Sequence, residues 1–137
     1  MAKVNFRLVM PERELLNTEA DMVVVPGSEG DFGVLPGHSP LISTVRPGVL
    51  EVYQGSKAEQ RFLIAGGFAE VTPERCTVLA EEAVPFEQVT SEQLAERERA
   101  AEVTLSDAST EAETAAAQKN LGVIRDLRRA QAYYAGR

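Results

Sequence analysis

Short apolar segments separated by turn-forming residues occupy the first 86 positions of the chain. Residues 4, 6, 8 and 10 are apolar and alternate with Asn5, Arg7 and Val9, which is the two-residue period of a strand with one buried face. Turns containing glycine or proline separate the later segments, and many short strands in this arrangement predict a β-sandwich or a barrel. These later segments fall at residues 22–25, 49–53, 61–65, 68–71 and 76–80.

The composition changes near residue 86. All seven prolines lie at or before Pro85, and the sequence that follows is rich in alanine, glutamate, glutamine and arginine, which favour helix. We therefore predict an α+β fold with two domains. An N-terminal antiparallel β-sandwich occupies residues 1–86, and a C-terminal two-helix hairpin, which we call the tail, occupies residues 87–137.

Each predicted tail helix begins at a capping box, Thr90-x-x-Gln93 for the first and Thr110-x-x-Glu113 for the second. The first helix is expected to run to about Leu105. Each helix carries only a thin apolar stripe, and most helical stability in proteins comes from packing such a face. The tail is therefore expected to need a surface to lie on. The stripe residues are Leu94, Ala101 and Leu105 on the first helix and Val123, Leu127, Ala130 and Tyr134 on the second.

Overall charge and hydropathy exclude several classes of protein. The formal net charge of −7 makes nucleic acid a poor partner, because binding to phosphates needs clustered positive charge. The longest nearly apolar segment, residues 62–69, is much shorter than the roughly 20 residues of a membrane span. The first residues contain no apolar signal segment, so export is not expected. A single cysteine, Cys76, fits a reducing cytoplasm.

The chain contains no group of residues that predicts a reaction. His38 is the only histidine and is followed directly by Ser39, an arrangement that rarely forms a nucleophile–base pair. Cys76 lies at an alternating strand position, where a buried small side chain is the ordinary interpretation. Residues 27–33 contain three spaced glycines without the lysine of a phosphate loop, and turn formation explains them better. We predict no catalytic site and no metal site.

Positive charge is concentrated at the end of this acidic chain. Residues 1–86 contain 7 basic and 12 acidic side chains, whereas residues 119–137 contain five basic side chains against Asp126 alone. A basic amphipathic helix can be a solvated charged face, or it can be directed at an acidic protein surface. Composition alone supports these two interpretations equally.

Three blocks of sequence, in order, resemble the epsilon subunit of F-type ATP synthases. The first is GSEGDFGVLPGHSPL at residues 27–41, the second is RPGVL at residues 46–50, and the third is GGFAEV at residues 66–71, leading to TVLA at residues 77–80. In the predicted β domain the similarity is one of sequence. In the tail it lies in the arrangement of the predicted helices more than in the sequence.

The resemblance implies a subunit of the central rotor stalk that holds the gamma subunit to the membrane ring of c subunits. It places the chain peripherally at the cytoplasmic face of the bacterial inner membrane, with gamma, the c-ring and the beta and alpha subunits as partners. The loop carrying Glu29, Asp31 and His38 resembles the family's contact with the ring and the base of gamma. The alternative is that the glycines and prolines of this loop serve only its shape, with His38 filling a pocket.

In this family the tail lies folded on the sandwich or extends along gamma and blocks ATP hydrolysis. The resemblance directs Lys119, Arg125, Arg128 and Arg129 towards an acidic segment of the beta subunit, which favours the partner-directed interpretation of the basic end. Residues 106–117, rich in alanine, threonine and glutamate, depart from a tight hairpin turn.

Some members of the family bind ATP on the tail, and Glu96, Arg99 and Arg129 match part of that pattern. Ala95 stands where isoleucine or leucine is usual, and Tyr133 replaces a further arginine. We expect no cofactor and no tight ATP binding. The alternatives to a rotor-stalk subunit are an ATP-sensing regulator that acts through the tail, and an independent binding module or enzyme.

Overall fold

The computed structural model describes residues 2–137. Strands form the first part of the chain and helices the last, which confirms the predicted α+β fold. The strands are β1 (Val4–Met10), β2 (Arg13–Ala20), β3 (Met22–Gly27), β4 (Gly30–Val34), β5 (Leu41–Val45), β6 (Gly48–Gln54), β7 (Lys57–Ile64), β8 (Gly67–Val71), β9 (Arg75–Ala80) and β10 (Ala83–Pro85). A short 3-10 helix (Phe86–Gln88) leads to α1 (Ser91–Asp107) and α2 (Glu111–Tyr134). The assignment of residues 1–86 and 87–137 to two separate domains stays a prediction.

The ten strands form one curled sheet. Its order is β10-β7-β6-β3-β5-β8-β9-β1-β2, with β4 paired to β3. Strands β3 and β5 share a single residue pair, Gly27 with Val45, so the sheet folds over at this point. All neighbouring strands are antiparallel except β1 and β9, which are parallel. The two halves of the sheet face each other as the layers of the predicted β-sandwich.

Side chains from both layers meet in one apolar core. Phe6 and Leu8 of β1 are fully buried against residues of the opposite layer, including Leu50 of β6 and Ile64 of β7. Cys76 lies in the same core, as predicted, and burial raises the pKa of its thiol to about 12. The thiolate is therefore strongly disfavoured, and Cys76 acts as a small apolar side chain.

A second apolar cluster joins the outer face of the sheet to the tail. It contains Val49 of β6, Leu63 and Ala65 from the region of β7, Leu94 of α1 and Leu127 of α2, and we call it the tail interface. Leu94 and Leu127 are 1% and 2% exposed. The remaining residues of the predicted second stripe, Val123, Ala130 and Tyr134, pack around it. The tail lies on a surface, as the thin stripes predicted.

The two helices are joined by a tight turn, so the expectation of a looser connection at residues 106–117 is wrong. Only residues 108–110 separate α1 from α2. The reason is a network at the start of α2, where Glu113 Oε1 accepts hydrogen bonds from the backbone N–H groups of Ser109 (2.9 Å) and Thr110 (3.2 Å). The capping boxes predicted at Thr90 and Thr110 are both present.

Strand β2 lies at one edge of the sheet and had no clear sequence signal. Its sequence, RELLNTEA, lacks regular alternation because Leu15 and Leu16 are adjacent. A register shift between Leu8 and Val9 of the neighbouring β1 accommodates this irregular strand. An edge strand with many polar residues resists pairing with other chains, which is a common property of sheet edges.

The tail interface leads to a prediction about Leu127. Changing Leu127→Ala should weaken docking of the tail by about 2–5 kcal/mol, because it removes buried methyl groups and leaves a cavity. Amide hydrogen exchange in α2 should accelerate, while exchange in the sandwich core should change little. The matched control is Val103→Ala on α1, where the side chain is 59% exposed. Equal exchange of α2 in the two variants would contradict the prediction.

Candidate interaction sites

The turn between β3 and β4 presents the acidic residues predicted to face a partner. Glu29 lies exposed at its tip, and Asp31 follows at the start of β4. Arg46 holds this turn from the side, because its guanidinium donates to Asp31 Oδ1 (2.6 Å) and to the backbone oxygen of Gly27 (2.5 Å). A Cβ atom on Gly27 would lie 2.8 Å from the ring of Phe32, so the turn requires glycine at this position. We call residues 27–31 the acidic turn.

His38 does not belong to the acidic turn. The sequence suggested one loop carrying Glu29, Asp31 and His38, but strand β4 separates the two acidic residues from His38. His38 lies half-buried in the next loop, where its Nδ1 is 2.7 Å from the backbone oxygen of Ser39. The N–H of Gly37 ties this loop to Pro73. The predicted segment therefore forms two surfaces at opposite ends of β4, and the partner roles of all three residues stay predictions.

The acidic turn and the end of the tail share one cleft. Asp31 and Arg46 line one side of this cleft of about 500 Å³, and Arg129 and Asp126 of α2 line the other. Arg129 donates to Asp126 at 2.8 Å, and Arg46 pairs with Asp31, so each arginine is already neutralised by a carboxylate. The cleft is thus not a site of concentrated positive charge.

Two of the predicted tail cations contact α1 directly. Arg125 Nε donates to Glu98 Oε2 at 3.1 Å, and Arg128 Nη1 donates to Glu98 Oε1 at 2.7 Å. Arg125 also reaches Glu102 at 3.2 Å. In the closed hairpin these arginines face acidic side chains of their own chain, which the sequence pattern did not show. Lys119 is exposed and forms no ion pair with any residue in the range 2–137.

The residues proposed for weak ATP binding lie in two separate places. Glu96 and Arg99 form an ion pair on the exposed surface of α1. Arg129 lies on α2 beside the acidic turn, in a cleft that neither Glu96 nor Arg99 lines. ATP binding through these three residues stays a prediction.

An exposed apolar row crosses the sheet layer opposite the tail. Phe68 of β8 pairs with Leu79 of β9, and Leu79 pairs with Val9 of β1. Ile42 of β5 pairs with Glu70, two pairs beyond the Thr44–Phe68 pair, and therefore lies diagonal to Phe68. Ile42, Phe68 and Leu79 are 75%, 57% and 53% exposed. Sequence reasoning did not single out these residues, although the alternation within strands 67–71 and 75–80 puts them opposite the buried positions. We call them the apolar row.

A buried charge lies at the edge of the tail interface. Glu51 is 6% exposed, and its Oε2 accepts a hydrogen bond from Arg61 Nε at 2.8 Å. The Arg61 guanidinium lies 5.6 Å from the centre of the Tyr134 ring and donates to the backbone oxygen of Arg137 at 2.6 Å. The sequence did contain a signal for this cluster, because Glu51 is an acidic residue between the apolar residues Leu50 and Val52.

Within residues 2–137, no group of three or more histidine, cysteine, aspartate or glutamate side chains is placed to hold a metal ion. Neither α1 nor α2 is apolar enough over a sufficient length to cross a membrane. Apart from the buried Glu51–Arg61 pair, the ion pairs of the described residues lie on the surface, and apolar side chains are exposed on one sheet face. These features define a sandwich-plus-hairpin protein whose distinctive groups lie on its surface.

Comparison with known proteins identifies the family. Residues 3–86 match the family described as ATP synthase, Delta/Epsilon chain, beta-sandwich domain. An ATP synthase epsilon chain of Rhodospirillum rubrum is 49% identical over 122 residues, covering 89% of this chain and 91% of the relative. One of Paramagnetospirillum magneticum is 50% identical over 113 residues, covering 82% and 85%. The chain belongs to the family of ATP synthase epsilon subunits.

Solved structures agree with this assignment. A chain of the Euglena gracilis mitochondrial ATP synthase, in a structure of OSCP, F1 and the c-ring, has a TM-score of 0.78 and 27% identity. The match covers 95% of this chain and 82% of that one. A chain from the central stalk and c-ring of the Tetrahymena thermophila enzyme has the same fold, with a TM-score of 0.69 over 94% and 96% of the two chains, at 19% identity.

The contacts of Glu98 lead to a prediction about pH. Hydrogen bonds from Arg128 and from Arg125 hold the pKa of the Glu98 carboxyl below its ordinary value. Because the pKa is lower in the folded chain, this contact stabilises the hairpin at neutral pH, and the stabilisation is lost as the pH falls through the folded value. A carbon-13 NMR titration should give a pKa for Glu98 below about 4.3, the ordinary value for glutamate.

Changing Arg128→Ala should raise the pKa of Glu98 towards that ordinary value. The matched control is Arg129→Ala, because Arg129 is the next residue along α2 but pairs with Asp126 instead. An ordinary pKa in the unmodified chain, or equal shifts in both variants, would contradict the contact.

Proposed function

We propose that this chain is a non-catalytic rotor subunit that joins the gamma subunit to the ring of c subunits in a bacterial ATP synthase. In this proposal the sandwich is the docking part, and the tail inhibits ATP hydrolysis when it leaves the sandwich and extends along gamma. The protein would then be peripheral to the membrane, at its cytoplasmic face, through the complex alone. Membership of the epsilon family supports assembly into an ATP synthase. The surfaces of the chain support the individual contacts proposed with gamma and with the c-ring.

The apolar row is the observation that carries the docking proposal. Three large apolar side chains that are each more than half exposed lie close together on one face, and large contiguous apolar patches on a protein surface commonly mark interaction sites. Phe68 occupies the middle of the row, between Leu79 and Ile42. Aromatic side chains at the centre of an interface commonly contribute most of its binding energy.

We assign gamma as the occupant of the apolar row. The tail covers the outer face of β6 and β7, so the row lies on the opposite layer of the sandwich and stays accessible whatever the tail does. The Euglena relative comes from an assembly containing F1 and the c-ring, and a rotor subunit in such an assembly needs a fixed contact with the stalk. A permanent apolar contact suits that requirement better than exposed ion pairs, which are individually weak.

The acidic turn is assigned to the c-ring. Glu29 and Asp31 are exposed at one end of β3 and β4, and Arg46 fixes the backbone that carries them. A rigid turn with exposed carboxylates can bind polar loops of a partner through polar contacts alone, without apolar side chains at the centre of the interface. His38, at the other end of β4, is assigned to a separate contact in the same assembly.

The first test of the proposal is docking on gamma. Changing Phe68→Asp should weaken association of the isolated chain with purified gamma at least tenfold, because an interface anchor contributes about 2 kcal/mol or more. The change should leave folding intact, since Phe68 faces solvent. Assembled enzyme carrying the variant should hydrolyse ATP with reduced proton pumping. Titration calorimetry and vesicle acidification measure the two effects.

The matched control for docking is Val103→Asp, which places the same charge on an exposed apolar position of α1 away from the row. It should bind gamma normally. If Phe68→Asp and Val103→Asp bind gamma equally well, gamma does not occupy the apolar row.

The second test concerns inhibition by the tail. Deleting residues 88–137 should leave the sandwich assembled in the enzyme but raise its rate of ATP hydrolysis. Replacing Arg125, Arg128 and Arg129 together with alanine should reproduce most of that rise, because several exposed pairs of about 0.2–1 kcal/mol each must act together to hold the extended state.

Inhibition that depends on these cations should weaken with salt, since the Debye length falls from about 10 Å at 0.1 M to about 3 Å at 1 M. A steady-state hydrolysis assay at several salt concentrations measures this dependence. If the truncated and intact enzymes hydrolyse ATP at equal rates at low and moderate salt, the tail is not an inhibitor.

A further inference from the structure

In the closed hairpin, the arginines assigned to an acidic segment of a partner are already bound to carboxylates. Both oxygens of Glu98 are occupied, Oε2 by Arg125 and Oε1 by Arg128, at 3.1 and 2.7 Å. Carboxylates on an acidic partner surface would bind the two guanidinium groups through the same kind of charge-assisted hydrogen bond.

Glu98 is distinguished from the other acidic residues of α1 by its position. Its side chain is 17% exposed, whereas those of Glu102 and Glu96 are 49% and 72% exposed. Glu102 reaches only Arg125, and Glu96 pairs within α1 itself. Glu98 is therefore the residue of α1 that neutralises two cations of α2 at once.

We propose that Glu98 is an internal competitor for the tail arginines, which biases the tail towards its closed conformation. The inference rests on the proposed function, because it assigns the same Arg125 and Arg128 to an acidic segment of the beta subunit. While the hairpin is closed, Glu98 occupies the two guanidinium groups. When the tail extends, the partner's carboxylates replace Glu98. The partner must therefore bind the two arginines more tightly than Glu98 does.

The size of the bias follows from the exposure of the pairs. Arg125 and Arg128 are 50% and 43% exposed, and ion pairs at this exposure are individually weak. Leu94 and Leu127, nearly fully buried, hold the tail on the sandwich. Glu98 thus sets the balance between two conformations without locking either one, and a ligand or partner shifts such a balance only by its difference in affinity for them. A change of a few-fold is expected from its removal.

The first measurement uses the isolated full-length chain. Glu98→Gln keeps the size of the side chain and removes its charge, and should accelerate amide hydrogen exchange in residues 121–134 about threefold to tenfold. The matched control is Glu92→Gln, which removes one charge from the same helix at an exposed position that forms no ion pair within residues 2–137. Equal exchange rates in the two variants would overturn the inference.

The second measurement uses the assembled enzyme. Glu98→Gln should inhibit ATP hydrolysis severalfold more than Glu92→Gln does, and adding Arg125→Ala and Arg128→Ala should abolish the difference. If both glutamine variants increase inhibition to the same extent, total charge matters and the inference is overturned. Faster exchange in the isolated chain without any change in hydrolysis would support internal competition while refuting tail inhibition, so the two hypotheses fail separately.

Discussion

The two parts of the molecule meet through strand β6, which is buried on both faces. Leu50 and Val52 point into the sandwich core, whereas Val49 points outwards into the tail interface. Without the tail, Val49 and its neighbours Leu63 and Ala65 would face water, at a cost of about 25 cal/mol for each Å² of apolar surface. Without the outer face of β6 and β7, Leu94 of α1 and Leu127 of α2 would lose their cover, and only the contacts between the two helices, such as Ala101 with Leu121, would remain.

The rim of this contact is polar, which limits its strength. Glu51 is buried in β6 but remains paired with Arg61, and Arg61 in turn lies beside the ring of Tyr134. A buried carboxylate that lost its partner would be strongly destabilising, but departure of α2 leaves the Glu51–Arg61 pair intact. The tail can therefore leave without stranding a charge. Its departure is resisted by apolar contacts, by the hydrogen bond from Arg61 to the backbone oxygen of Arg137, and by the weak exposed ion pair of Arg97 with Glu82.

Much of the fold could be predicted from local pattern, and the contacts across the fold could not. The alternation in β1, the apolar segments that became β6 to β9 and the capping boxes at Thr90 and Thr110 are local signals, and each is confirmed. Strand β2 was missed because edge strands need no regular alternation. The pairing of Arg125 and Arg128 with Glu98 spans 27 and 30 residues, and it depends on the register between two helices that no spacing in the sequence specifies.

The arrangement of the two outer faces determines how the proposed functions can be combined. Phe68 and Leu79 project from one layer, Val49 and Leu63 from the other, and the closely packed core lies between them. Because the apolar row and the tail interface are formed by different side chains on opposite layers, a subunit built this way can stay attached through the apolar row while its tail closes and opens. The acidic turn is the exception, since Asp31 and Arg46 share a cleft with Arg129 and Tyr133 of α2. If any contact of the sandwich responds to the position of the tail, it is therefore the contact made by this turn.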